Sequence, residues 1–112
     1  MKLLNALSLS MFSSASNGKR YTIQVEPITV LEAVALFKVY GLESCIGHAD
    51  AARMASELLA LPVPMNRVST VLTMGESAIV LQYMGPRLPE GVTTLPPEAK
   101  VEFLQISMQE FM

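Results

Sequence analysis

The single histidine of the chain, His48, lies in the segment Ile46-Gly47-His48-Ala49-Asp50, at the start of a helical pattern. The N-terminus of a helix favours an anion such as phosphate, because its first N–H groups are unpaired and its dipole is positive there. An imidazole can donate or accept a proton near neutral pH. Gly47 and His48 therefore indicate chemistry on a phosphate ester. A solvated or capping histidine is the alternative interpretation.

Four further polar side chains lie at the ends of predicted strands, where a ligand site would form. Asn5 and Ser8 stand in and just after an apolar N-terminal run, and Asn66 and Arg67 open a β-rich run. An arginine at such a point can hold a phosphate through charge-assisted hydrogen bonds. Ordinary roles stay open: Ser8 and Asn66 could be turn or cap residues, and Arg67 a solvated charge.

A loop at residues 85–91 contains Arg87 and Glu90 as its charged side chains, between glycines and prolines that restrict its shape. Rigid loops of this kind often contain functional residues, although an exposed surface pair is the alternative. The sequence has no GxGxxG, no Walker loop, no CxxC and no histidine cluster with metal spacing. We therefore expect neither a cofactor nor a metal.

Two helices must position these side chains. Thr29 and Glu32 have the spacing of a capping box, and the apolar pattern Val30, Val34 and Phe37, flanked by Leu31 and Ala35, predicts a helix as far as Tyr40. Gly41 ends it. The second helix follows His48 and ends before Pro62 and Pro64, with one apolar side that predicts packing on a sheet. This apolar side consists of Ala51, Met54, Ala55, Leu58 and Leu59.

Runs of β-forming residues predict the strands. They are Lys2–Leu7, Arg20–Glu26 ended by Pro27, Asn66–Met74, Ser77–Met84 and Lys100–Met108. Gly75-Glu76 between the third and fourth runs indicates a tight hairpin. The fourth run is apolar on both faces and is therefore predicted to be central. The order predicts a single α/β domain over residues 1–112, with a mixed sheet of about five strands and helices packed against it.

Composition excludes several classes of protein. With 112 residues, 51% of them hydrophobic, the chain can bury a core, and its net charge of −2 argues against binding of long nucleic acid. Cys45 is the only cysteine, which excludes an intrachain disulfide and fits a reducing cytosol. The N-terminal residues 1–16 are similar to a signal peptide, but Asn5 and Ser8 interrupt the apolar run. We therefore expect no export and no membrane span.

Four segments together resemble the viral anti-CRISPR ring nucleases that antagonise type III CRISPR immunity. The segments are Asn5-Ala6-Leu7-Ser8, Ile46-Gly47-His48, Asn66-Arg67-Val68 and Arg87-Leu88-Pro89-Glu90-Gly91. They occur in the family's order and span nearly the whole chain. The resemblance implies a homodimer in the cytoplasm of an infected host cell that binds cyclic tetra-adenylate and cleaves it, without metal, to linear di-adenylate.

The resemblance also implies a role for each matching residue. His48 corresponds to the catalytic general acid, and Glu90 to the glutamate that assists it. Arg67 and Arg87 correspond to arginines that hold the ligand's phosphates. The remaining matches are expected to line the substrate pocket: Asn5, Ser8, Gly47 and Asn66. A cyclic tetranucleotide has approximate two-fold symmetry, so one histidine per chain supplies two catalytic centres in an isologous dimer.

Two other functions fit the same residues. A non-catalytic sponge would bind the cyclic oligonucleotide and release it intact, using the arginines and the helix N-terminus without needing His48. A structural interaction module would bind no nucleotide, and the apolar content would then serve protein contacts.

Overall fold

The computed structural model describes residues 1–86 and 97–111. Within these ranges the chain forms five strands and three helices. In chain order they are β1 (Lys2–Leu4), α1 (Ser10–Ser16), β2 (Tyr21–Ile28), α2 (Val30–Tyr40), β3 (Glu43–Ser44), α3 (Ala49–Leu59), β4 (Ser77–Met84) and β5 (Lys100–Glu110).

All five strands join one sheet in the order β2-β5-β4-β1-β3. Strand β1 pairs in parallel with both β3 and β4, whereas β5 pairs antiparallel with β4 and β2. Four strands therefore point in one direction and β5 alone points in the other. The predicted α/β class with a mixed sheet of five strands is confirmed.

Each face of the sheet is covered by different elements, because side chains alternate between the faces along a strand. The apolar side chains of α2 and α3 pack on one face, and Phe12 of α1 packs on the other together with Leu72. Strand β4 has buried side chains on both faces, such as Ile79 and Val80, which confirms its predicted central position.

The two predicted helices are confirmed at their ends. Thr29 and Glu32 form the capping box of α2, and Gly41 follows the helix with a φ of 79°. Helix α3 begins directly after His48. The predicted apolar face of α2 is wrong in part, since Phe37 is buried but Leu31 is 82% exposed. Apolar residues occur around the whole helix, so their spacing does not define a single face.

The N-terminal strand is shorter than predicted. It ends at Leu4 rather than Leu7, which is exposed, and a helix that the sequence analysis missed follows at Ser10–Ser16. Serine is a modest helix former, and four of the seven residues of α1 are serines. Burial of Phe12 between α1 and the sheet stabilises this helix. The helix therefore depends on tertiary contacts, which local sequence patterns do not show.

The predicted hairpin around Gly75-Glu76 is wrong. Residues 66–74 form no strand, because both sides of β4 are already paired, with β1 and with β5. This segment instead runs beside α1, where the N–H of Leu72 donates to the carbonyl of Met11. Asn66 and Arg67 therefore do not begin a strand.

Two further boundaries differ from the predictions. Pro27 does not end β2, since it pairs with Leu104 and the strand continues to Ile28. The missing N–H of proline is tolerated because β2 is an edge strand. The two-residue strand β3 was not predicted, as it is too short for a periodic signal.

The amino ends of the parallel strands are tied together by Lys2 and Glu76. The Lys2 Nζ lies 2.8 Å from a carboxylate oxygen of Glu76 and also donates to the carbonyl of Val71. Burial opposes ionisation of Glu76, but hydrogen bonds from Lys2 and Thr73 and the Lys2 charge outweigh it and lower the pKa of this carboxyl. We call this the amino end of the sheet.

No helix in the described part of the chain has the length and apolar character needed to cross a bilayer.

Candidate functional site

The candidate residues that the structure describes lie at the opposite end, which we call the carboxyl end of the sheet. Here the chain leaves β1 toward α1 on one face, and leaves the neighbouring strand β3 toward α3 on the other face. Connections that diverge to opposite faces leave a crevice at the carboxyl ends of the strands. In open α/β sheets this is the position at which ligands bind.

His48 is the N-cap residue of α3, with an extended backbone at φ −129° and ψ 135°. Its carbonyl accepts a hydrogen bond from the N–H of Ala52, whereas its imidazole makes no capping hydrogen bond. The side chain is exposed. The imidazole is therefore positioned by the backbone of an eleven-residue helix while its ring nitrogens stay accessible to a ligand.

Arg67 lies against the residue that precedes His48. Its Nε donates to the carbonyl of Gly47 at 3.3 Å, and this contact leaves the terminal guanidinium nitrogens for a ligand. A Cβ on Gly47 would lie 3.4 Å from the Cγ of Arg67. This is an ordinary van der Waals distance, so the arginine stem packs directly beside the Gly47 backbone. The structure places Arg67 against Gly47, the residue that precedes His48.

Asn66 and Ser44 bond the backbone segments that precede Gly47 and Arg67. The N–H of Asn66 donates to the carbonyl of Ile46 at 2.7 Å, and its side-chain amide donates to the carbonyl of Ser44 at 2.8 Å. The buried hydroxyl of Ser44 donates to the carbonyl of Pro64 at 2.6 Å. The backbone N–H and the side-chain amide of Asn66 therefore both donate to backbone carbonyls and stabilise the fold around Gly47. Ser44 was not among the predicted site residues, because its only signal is a polar residue in a segment that has no helix or strand pattern.

Asn5 and Ser8 lie on the α1 side of the carboxyl end. The N–H of Cys45 donates to the carbonyl of Leu3, so the segment that follows β1 starts next to the segment that leads to His48. Ser8 is exposed and its hydroxyl lies 2.9 Å from that of Ser10. Within residues 1–86 and 97–111, no hydrogen bond joins Asn5 or Ser8 to Arg67 or His48.

Arg87 and Glu90 lie outside the described residues. The described base of their loop is tightly packed: a Cβ on Gly85 would lie 2.9 Å from Ala99, and the hydroxyl of Tyr83 donates to the carbonyl of Pro86. Gly85 is therefore required at the point where the chain leaves β4, at the same end of the sheet as His48.

Charges around the start of α3 are mixed. Asp50 in the first helical turn lies 3.9 Å from Arg53, and this pair offsets part of its negative charge. Among the described residues, no three of the His, Cys, Asp and Glu side chains are grouped so that they could hold a metal ion. The groups at this end that could hold a phosphate are the Arg67 guanidinium and the backbone N–H groups at the start of α3.

The mixed five-stranded sheet has helices on both faces and exposed polar side chains at its carboxyl end, and it defines a small α/β protein. A family model described as STIV B116-like matches residues 1–109, and the chain belongs to this family.

Two viral proteins are similar to the chain. "Uncharacterized protein 26" of Sulfolobus islandicus filamentous virus is 29% identical over 89 residues, which cover 80% of this chain and 71% of that protein. B116 of Sulfolobus turreted icosahedral virus has a similar structure, with a TM-score of 0.73 and 21% identity over 95% of this chain and 97% of that chain. The structural likeness shows the fold, and the family together with the relative of 29% identity supports a viral protein.

Proposed function

We propose that this protein is a metal-independent ring nuclease that binds cyclic tetra-adenylate and cleaves it to linear di-adenylate, and thereby suppresses type III CRISPR immunity. The observation that carries the proposal is the exposed imidazole of His48 at the start of α3, beside Arg67 held on the backbone of Gly47. The resemblance of four segments to the viral ring nucleases supports the same activity, and the viral relatives fit the viral origin that it implies.

The chemistry needs little more than alignment and charge stabilisation. A ribose 2′-hydroxyl attacks its own phosphate and gives up its proton to water. The O2′–P bond forms, the P–O5′ bond breaks, a 2′,3′-cyclic phosphate is left on the product, and the departing O5′ takes up a proton. His48 is proposed to donate that proton. Arg67 stabilises the negative charge that builds up on the phosphate oxygens, together with the N–H groups at the start of α3.

The remaining candidates complete this assignment. Glu90 is proposed to assist His48, and Arg87 to hold a second phosphate through charge-assisted hydrogen bonds. Asn5 and Ser8 are proposed to line the pocket on the α1 side, where the exposed Ser8 hydroxyl is available for a ribose or base. The roles of Arg87 and Glu90 rest on the resemblance alone, and those of Asn5 and Ser8 rest also on their position after β1.

A homodimer with the ligand on its two-fold axis is part of the proposal. The ring has approximate two-fold symmetry, so two copies of His48 can act on opposite phosphates. The messenger is produced in the infected cell, so the proposed place of action is the host cytoplasm.

One experiment tests the activity directly. The protein is incubated with cyclic tri-, tetra- and hexa-adenylate in excess chelator, and the products are separated by chromatography. We expect linear di-adenylate from the tetra-adenylate ring, because arginine and histidine replace a metal in this mechanism. Activity that disappears in chelator and returns with magnesium or manganese would contradict the mechanism.

The same experiment distinguishes the other two functions. Binding of the ring without product, measured by equilibrium titration, would identify a sponge. Absence of both binding and product would leave the interaction module.

A further inference from the structure

Helix α2 has apolar residues on the side that faces away from the sheet. Leu31 and Val39 are 82% and 74% exposed, and Ala35 between them is also exposed. The opposite side of the helix, with Ala33 and Phe37, is buried against the sheet. Exposed apolar side chains that form a row indicate a protein contact more strongly than the same residues scattered singly.

The exposed residues are arranged symmetrically about Ala35. Leu31 and Val39 lie four positions before and after it, and Glu32 and Lys38 lie three positions before and after it. At about 100° per residue, all four lie within about 60° of the direction of Ala35. We call these five residues the α2 outer face.

This symmetry makes the α2 outer face complementary to itself. When two copies of α2 cross antiparallel at Ala35, Leu31 of each copy meets Val39 of the other, and Glu32 of each copy meets Lys38 of the other. A shallow crossing angle of about 20°, one of the preferred helix-packing geometries, keeps both contacts, because a steep crossing would bring one pair together and separate the other. A small residue at the crossing point allows close approach.

The charges on this face are available for such a contact. Within residues 1–86 and 97–111, Lys38 has no ion pair or hydrogen bond through its side chain. Glu32 uses Oε1 to accept the N–H of Thr29, which leaves its other oxygen for a lysine. Opposite charges that meet twice across a two-fold axis favour the antiparallel arrangement, because a parallel arrangement would place like charges together.

We propose that the α2 outer face is a docking surface for the same face of a second copy of this chain. Helix α2 runs from the carboxyl end of the sheet, where β2 ends, to the amino end, where β3 begins. The antiparallel pairing therefore places the two His48 residues at opposite ends of the pair. This interface is distinct from a dimer that shares one ring between two histidines, and it would link such dimers into a larger assembly.

A charge exchange tests the interface in the full chain. Lys38→Glu and Glu32→Lys each place like charges across the axis, so each variant alone is expected to associate at least about tenfold more weakly than the wild type. A mixture of the two variants restores both opposite-charge contacts and is expected to associate. Sedimentation velocity across a concentration series measures this, with Lys19→Glu and Glu57→Lys as matched controls on other exposed surfaces.

A cross-link locates the contact independently of its strength. In a Cys45→Ser background, Ala35→Cys places two thiols at the crossing point, within the reach of a disulfide. We expect an intermolecular disulfide under mild oxidation, and none with Glu57→Cys. Association that is indifferent to both charge reversals, or absence of a cross-link in the oxidised Ala35→Cys variant, would overturn the proposal. Ring cleavage is measured in parallel, since its failure bears only on the site at His48.

Discussion

The two ends of the sheet differ in how their polar side chains are used. At the amino end, Lys2 and Glu76 form an ion pair that also bonds the backbone at Val71 and Thr73, and the N–H of Glu43 donates to the carbonyl of Met1. At the carboxyl end, His48 and Arg67 are exposed, and each retains polar atoms that face solvent. The polar groups at the amino end therefore bond within the fold, whereas those of His48 and Arg67 at the carboxyl end face solvent.

The difference separates stability from chemistry in this small molecule. Polar groups that are satisfied internally stabilise the fold but have no capacity left for a ligand. Exposed polar side chains that make few hydrogen bonds within the fold contribute little to its stability, and they can bind a ligand or transfer a proton. Changes at the carboxyl end should therefore affect activity more than stability, and changes at the amino end should do the reverse.

The largest expected effect is at His48. His48→Ala should lower single-turnover cleavage of cyclic tetra-adenylate by about 10² to 10⁴-fold, the usual contribution of a positioned general acid, with ligand affinity within about tenfold. Because the imidazole makes no capping hydrogen bond, the midpoint of urea unfolding should stay close to that of the wild type. Cleavage at the wild-type rate would remove His48 from the mechanism.

Arg67→Ala should weaken ring binding by about 1.5 to 3 kcal/mol, the typical contribution of a hydrogen bond to a charged group. The variant removes a guanidinium that lies beside Gly47, whereas Lys19→Ala removes an exposed cation at the start of β2, at the amino end. Isothermal titration compares the two. Equal losses in both variants would indicate diffuse attraction between charges instead of a site.

Ser44→Ala should lower both the stability of the fold and the affinity for the ring. The hydroxyl is buried and bonds the carbonyl of Pro64, so its loss should destabilise the fold by about 1 to 2 kcal/mol. Ser44 also lies under Asn66, so ring binding should fall along with stability. Urea unfolding measures the first effect, and Ser69→Ala is an exposed serine control. A stable variant with unchanged binding would show that this scaffold does not position Arg67.

The smallest expected effect is at Glu76. Because the fold lowers the pKa of this carboxyl from its ordinary value of 4.5, the ionised carboxylate stabilises the fold at pH values above 4.5. Glu76→Gln should reduce the free energy of unfolding at pH 7 by less than about 1 kcal/mol, because solvent screens this partly exposed pair. The stability difference from the wild type should shrink as the pH falls below 4.5, where the wild-type carboxyl takes up its proton. Cleavage at pH 7 should be unchanged, and a large loss of activity would contradict the division between the two ends.

Local signals account for the parts of the fold that were predicted correctly. The capping box of Thr29 and Glu32 and the glycine at position 41 set the ends of α2 through contacts within a few residues. The start of α3 after His48 was likewise predicted. The structure places this histidine at the N-cap, where its side chain is exposed. Asn66 and Arg67 were identified by residue type, but their place beside β3 rests on hydrogen bonds that span about twenty positions.

The sequence by itself determined the α/β class, the two longer helices, the central strand β4 and the residue types available for phosphate chemistry, because propensity, capping and apolar periodicity act over short distances. The tertiary structure alone decided the pairing of β4 with β1 and β5 and the outward direction of Leu31. It likewise decided the formation of α1, whose Phe12 is buried against the sheet. It also decided the contact between Gly47 and Arg67. These features depend on which distant segments meet, and that is set by the competition of the whole chain for one core.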